Sequence, residues 1–149
     1  MRMTSQRRFG ATLVAAVAGI VLVTGAPAGA AAAVPAAASL AVQVATDGQL
    51  RARGAAVTMP IEVACSEGAA TSWLSIEVIQ RAHGGEVARA YGYMERLPCD
   101  GTMHTVELTA TAQTLAFHAG EAYVTAVGSV CAADACVNVQ KAGEVQLRR

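Results

Sequence analysis

Val57-Thr58-Met59-Pro60-Ile61-Glu62-Val63-Ala64-Cys65 sets an apolar residue at every second position. A period of two marks a strand with one buried face, and after Leu40 no helical period is long enough to compete with it. Pro60 lies mid-run although proline has no N–H to give a ladder, so a bulge or a missing neighbour is expected there.

Upstream of this run, Leu40, Val42 and Val44 share one face of a first strand that stops at Thr46-Asp47-Gly48. Downstream, Ser72 to Arg81 carries Leu74, Ile76 and Val78 on one face and Trp73, Ser75, Glu77 and Ile79 on the other. His83-Gly84-Gly85 turns it into a partner at Glu86 to Met94, and Leu97-Pro98-Cys99-Asp100-Gly101 leads to a fifth strand, Thr102 to Thr111. A connection through Leu115, Phe117 and Gly120 precedes Glu121 to Cys131, where Val124 and Val130 favour one face and Tyr123 and Val127 the other. The last strand, Val137 to Leu147, reads as interrupted at Lys141-Ala142-Gly143. Seven short strands with regular turns predict an all-β fold, an immunoglobulin-like antiparallel β-sandwich of about seven strands with two disulfides. An open barrel is the main competitor.

The first 30 residues read as an export signal. Arg2, Arg7 and Arg8 form a basic head, Ala11 to Val23 an apolar core, and Ala28-Gly29-Ala30 the small-residue pattern of a cleavage site. Cleavage is expected after Ala30, with Ala36-Ala37-Ala38 as a later alternative. The apolar core is shorter than the roughly 20 residues a spanning helix needs. Arg7-Arg8-Phe9 lacks the residue that separates the pair from the apolar position in twin-arginine signals, so general secretion is expected. No cysteine precedes Cys65 to be acylated.

Residues 31–38 read as a disordered Ala/Pro-rich leader and 39–149 as one domain. Three of the eleven basic residues leave with the signal, so eight face eleven acidic ones, a net charge of −3. That balance disfavours a nucleic-acid partner. The expected product is extracellular, with no membrane attachment after cleavage.

If successive strands alternate in direction, Cys65, Cys99, Cys131 and Cys136 all fall at one pole. An exported small domain with an even cysteine count implies two disulfides, and topology excludes none of the three connectivities. Spacing favours Cys131–Cys136 across a four-residue turn, which leaves Cys65 for Cys99. Cys65–Cys131 is the rival. The C-x4-C spacing stands alone, without the second ligand pair of a zinc site.

Little else carries chemistry. No serine lies in a G-x-S-x-G elbow, no glycine-rich phosphate loop opens a helix, and Glu62, Glu77 and Glu107 are scattered over strands. No enzyme and no cofactor are expected. His83, His118 and Asp47 fall at the pole opposite the cysteines, where they could meet around a metal; solvated loop histidines are the plainer reading. His104 begins a strand at the surface. Trp73, Tyr91 and Tyr93 lie toward the cysteine pole, either as the floor of a binding patch or as caps on the core.

Two likenesses follow. Val63-Ala64-Cys65, Ile76 to Gln80, Leu97-Pro98-Cys99-Asp100-Gly101, Gly120-Glu121-Ala122 and Val130-Cys131 together resemble a group of small secreted actinobacterial domains of unknown function, a likeness that brings no activity with it. Val130-Cys131-Ala132-Ala133-Asp134-Ala135-Cys136 is similar to the last disulfide hairpin of the neocarzinostatin-type enediyne apoproteins. That resemblance implies a secreted immunoglobulin-like sandwich with a cleft for a small molecule, although the family's other disulfide closes a much shorter loop.

The expected role is a non-enzymatic binding module for a small molecule or an extracellular protein. Two alternatives are a protease inhibitor presenting Met94-Glu95-Arg96-Leu97-Pro98 as an extended loop, and a metal-dependent enzyme built on His83 and His118.

Overall fold

Val57 to Cys65 makes up all but the first residue of strand β3 (Ala56–Cys65), and its alternation is realised residue by residue. Val57, Met59, Ile61, Val63 and Cys65 are buried, while Thr58 turns outward and shares a hydrogen bond of 2.9 Å with the Thr109 hydroxyl on the neighbouring strand. The computed structural model describes residues 37–132 and 135–149. The expected signal at 1–30, both cleavage alternatives apart from Ala37 and Ala38, most of the leader, and Ala133-Asp134 lie outside the described residues.

Seven further strands surround β3: β1 (Leu40–Val44), β2 (Asp47–Arg51), β4 (Thr71–Arg81), β5 (Val87–Glu95), β6 (Met103–Ala112), β7 (Gly120–Ala132) and β8 (Ala135–Arg148). Single 3-10 turns at Ala52–Gly54 and His83–Gly85 are the described helical residues. No described helix is long and apolar enough to cross a membrane.

Pro60 has the missing neighbour its chemistry requires. One edge of β3 pairs with β1 from Cys65 to Ile61 and with β2 from Thr58 to Ala56, and the change of partner falls at Met59 and Pro60. The Pro60 carbonyl accepts from Ala45 N–H at 3.4 Å, so the proline nitrogen faces the break between β1 and β2. The opposite edge runs uninterrupted along β6 from Ala56 to Ala64.

The expected sandwich must be corrected in one respect: the hydrogen-bonded sheet closes on itself. Strands β3, β2, β8, β7, β4, β5 and β6 follow one another around a ring that returns to β3, and β1 lies beside β3 as an eighth strand. Two short seams close it. At one, β2 pairs in parallel with β8 through Asp47↔Gln146, Gly48↔Leu147 and Gln49↔Arg148. At the other, β5 meets β6 through Ala90↔Ala112 and Tyr91↔Thr111.

A glycine marks each seam. A Cβ on Gly48 would stand 2.9 Å from Leu147 Cδ2, and one on Gly92 would stand 2.6 Å from the Thr109 carbonyl oxygen. Thr46-Asp47-Gly48, read as a turn, thus opens a strand whose glycine serves close packing.

The face of β7 is also decided. Ala122, Val124, Ala126 and Val130 are buried, whereas Tyr123 is 48% exposed. Strand β8 runs without the expected interruption and pairs with β7 from Ala135 to Leu147. Among the described residues, its other edge has a ladder partner only at Gln146–Arg148. Lys141, the chain's single lysine, takes a position of inward parity on β8, between Val139 and Gly143, and stays exposed.

Candidate functional site

Strand direction and two covalent links build the cysteine pole. β3 and β7 end there, β4 and β8 begin there, and Thr71 lies opposite Cys131 in the β4–β7 ladder. Cys65 is bonded to Cys99 and Cys131 to Cys136, the pairing that spacing favoured. Backbone bonds tie in the remaining loops: Ala70 N–H donates to the Cys131 carbonyl and Gly101 N–H to the Cys65 carbonyl, both at 2.9 Å.

The outer face of β4 and β5 carries the aromatic residues. The register sets Ser75 opposite Tyr93 and Glu77 opposite Tyr91, with Trp73 one row nearer the pole. The Trp73 and Tyr93 rings lie 6.1 Å apart between centroids and are tilted by 30°. Tyr91 and Tyr93 are 47% and 49% exposed, so they do not cap the core. Tyr123 joins them on the same face, because the β4–β7 register sets it opposite Ile79. The one tryptophan and all three tyrosines of the chain therefore stand on the outside of the β8-β7-β4-β5 run, and the aromatic residue of the described core is Phe117. Aromatic rings are the largest source of core burial in most domains, whereas here the three tyrosines are exposed and Trp73 is half-buried.

Beside the Trp73–Tyr93 pair a groove of about 560 Å³ runs between the β3–β4 loop and the end of β5, lined by Ala70, Ser72, Trp73, Tyr93, Glu95 and Leu97 among others. Ser72 organises its wall: its carbonyl accepts from Arg96 N–H at 2.9 Å and its hydroxyl from Leu97 N–H at 2.8 Å. Arg96 is left-handed at φ 58°, and Leu97 is 6% exposed. Within Met94–Pro98, Met94 and Glu95 end β5, Glu95 and Arg96 are exposed, and the chain bends at left-handed Arg96 to bury Leu97.

A polar cluster missed in the sequence lies at the same pole. Asp100 Oδ1 accepts from the Thr102 hydroxyl at 2.7 Å and from Thr102 N–H at 2.9 Å, and lies 2.9 Å from His104 Nε2. The Thr102 hydroxyl and N–H, then the His104 hydrogen bond, hold the Asp100 carboxyl far below the usual carboxylate range. The i,i+2 spacing of Asp100 and Thr102 in a glycine turn is the signal that sequence carried for it.

Of the residues read as a possible metal constellation at the other pole, Asp47 and His118 have the following described partners. Asp47 pairs with Arg148 at 2.8 Å, and the His118 ring nitrogens face the carbonyls of Ala119 at 3.0 Å and Arg81 at 3.4 Å. The His83 side chain lies outside the description. Among the described residues no three His, Cys, Asp or Glu side chains are grouped to hold an ion. Comparison with known proteins found no matching family model, no matching curated protein and no matching solved structure.

Proposed function

We propose that this is an exported, non-enzymatic binding module whose cysteine pole and adjoining aromatic face hold a small molecule or an extracellular protein. The observation that carries the reading is the pair of half-buried Trp73 and exposed Tyr93 beside a groove whose bordering loops are fixed by disulfides and backbone bonds. Loops fixed in advance lose little freedom when a partner arrives, and aromatic rings offer contact area at low entropic cost. Two disulfides suit the oxidising compartment that the signal-like N-terminus implies.

The same reading treats the ring as an immunoglobulin-like sandwich drawn shut at its edges. The ladders β3–β6, β4–β7 and β7–β8 are long, whereas the seams that join the two layers comprise three residue pairs at β2–β8 and two at β5–β6. Secreted actinobacterial relatives of that architecture belong to this proposal.

Native mass spectrometry of the protein recovered from its own culture medium tests the function. The expected result is an added mass on the wild type that Trp73→Ala loses while keeping its fold. An added mass equally retained by Trp73→Ala, or a wild type that takes up nothing from its medium, refutes the assignment to this face.

A further inference from the structure

The pole opposite the disulfides holds a second built cavity, of about 520 Å³, lined by Leu50, Arg53, Gly54, Phe117, His118 and Arg149. Its floor is Phe117, 4% exposed, beside half-buried Leu50. Two locks fix that floor before any ligand arrives. Gly54, at φ 89°, comes so close to Phe117 that a Cβ there would overlap the Phe117 carbonyl oxygen, and Phe117 N–H donates to the Gly54 carbonyl at 2.9 Å. From the other side, buried Gln80 donates through Nε2 to the carbonyls of His118 at 2.9 Å and Glu121 at 3.1 Å, and its Oε1 accepts from His118 N–H at 2.9 Å.

The rim is strained. Ala52 and Arg53, two successive non-glycine residues, are left-handed at φ 47° and 59°. Backbone in that region persists where surrounding structure imposes it, and such outliers gather at ligand sites. Here the strain places Arg53 beside the cavity. Arg53 and Arg149 make no ion pair among the described residues, whereas neighbouring Arg148 is engaged by Asp47. No acidic side chain lines the cavity, although the predicted mature chain is net acidic.

We propose that this cavity binds an amphipathic organic anion, with an apolar body on Phe117 and Leu50 and one carboxylate or sulfonate head held by the Arg53 and Arg149 guanidinium groups. Planar guanidinium donors match such heads in paired hydrogen bonds, and a preformed apolar floor of this size suits a drug-sized body. The site is separate from the aromatic face and does not depend on that face having a ligand.

The probes are 8-anilinonaphthalene-1-sulfonate and its uncharged counterpart N-phenyl-1-naphthylamine, titrated by fluorescence against the folded protein. The sulfonate should bind at one site, and Arg53→Gln should weaken it by about tenfold or more. The uncharged probe should be indifferent to that change, Leu50→Gln should weaken both probes, and Trp73→Ala should alter neither. Arg53→Asn tolerates the left-handed backbone and carries the same test if Arg53→Gln fails to fold. Absence of sulfonate binding, equal sulfonate affinity in the folded Arg53 variant, or loss of binding in Trp73→Ala overturns the proposal.

Discussion

Gly92→Ala is the sharpest test of the closed ring. Gly92 follows directly on the two residue pairs that join β5 to β6. A methyl group there would stand 2.6 Å from the Thr109 carbonyl oxygen, 3.0 Å from its carbon and 3.1 Å from Ala110 Cα. All three are backbone atoms of β6, which its ladder to β3 holds from Met103 to Thr111, so the clash has no flexible side chain to displace.

Alanine restricts the unfolded chain and so returns about 0.4–1 kcal/mol. Overpacking of this kind costs about 1–3 kcal/mol. The net expectation is a loss of about 1–2 kcal/mol, or about 4–10 °C in Tm for a domain of this size. Urea unfolding followed by the fluorescence of Trp73, the single tryptophan, measures it. Gly143→Ala is the control: nothing lies within 4 Å of its Cβ position and its φ is not positive, so it should be neutral or stabilising by up to about 1 kcal/mol. If Gly92→Ala matches the wild type while Gly143→Ala behaves as expected, β5 and β6 stand further apart than described and the ring is open at that seam.

Three further outcomes follow from the same geometry. Gln80→Leu removes three hydrogen bonds to the backbone of His118 and Glu121, so a loss of about 2–4 kcal/mol is expected in urea unfolding, and a change below about 0.5 kcal/mol would refute the clamp. Replacing Cys131 and Cys136 by serine should cost about 2 kcal/mol, and replacing Cys65 and Cys99 about 4 kcal/mol, because they close loops of sequence separation 5 and 34; the reverse order would contradict loop closure as the source of stability. Asp100 has a depressed carboxyl, so its contribution is present above the unfolded value near pH 4 and is lost as pH falls through the lower folded value. Asp100→Asn should therefore be less stable than the wild type at pH 7, with the gap closing in strong acid; a gap constant from pH 7 to pH 2 would refute the hydrogen-bonded carboxylate.

Alternation made most strands legible, since Val57 to Cys65 and Leu74 to Val78 announce a buried face without help from context. It failed where glycine has two meanings. Asp47-Gly48 reads as a turn and Gly92 as one more strand residue, but at both the missing side chain lets one backbone or core residue approach another, and that use exists only once the partner strand is in place. Ring closure was hidden for that reason.

At the cysteine pole, Trp73, Tyr91 and Tyr93 were visible as the scarce aromatics, yet whether they faced in or out depended on the parity of each strand. Tyr123 was hidden by a strand in which valines occupy both parities. Gln80 was invisible as a clamp, because a lone glutamine at a strand end gives no sign that two distant carbonyls will converge on it.

The stretch of β8 that lacks a described ladder partner on its second edge, ahead of Gln146, has a consequence for self-association. An exposed strand edge is a template on which a second chain can add, and repeated addition leads to fibrils. Lys141 stands at an inward position in the middle of that edge and keeps its ammonium in water. A strand laid along Ala135 to Val145 would crowd that charge toward the apolar side and strip its hydration, a cost that no acidic partner is placed to offset among the described ion pairs. Lys141→Val is therefore expected to aggregate more readily than the wild type, which light scattering of the concentrated proteins would read.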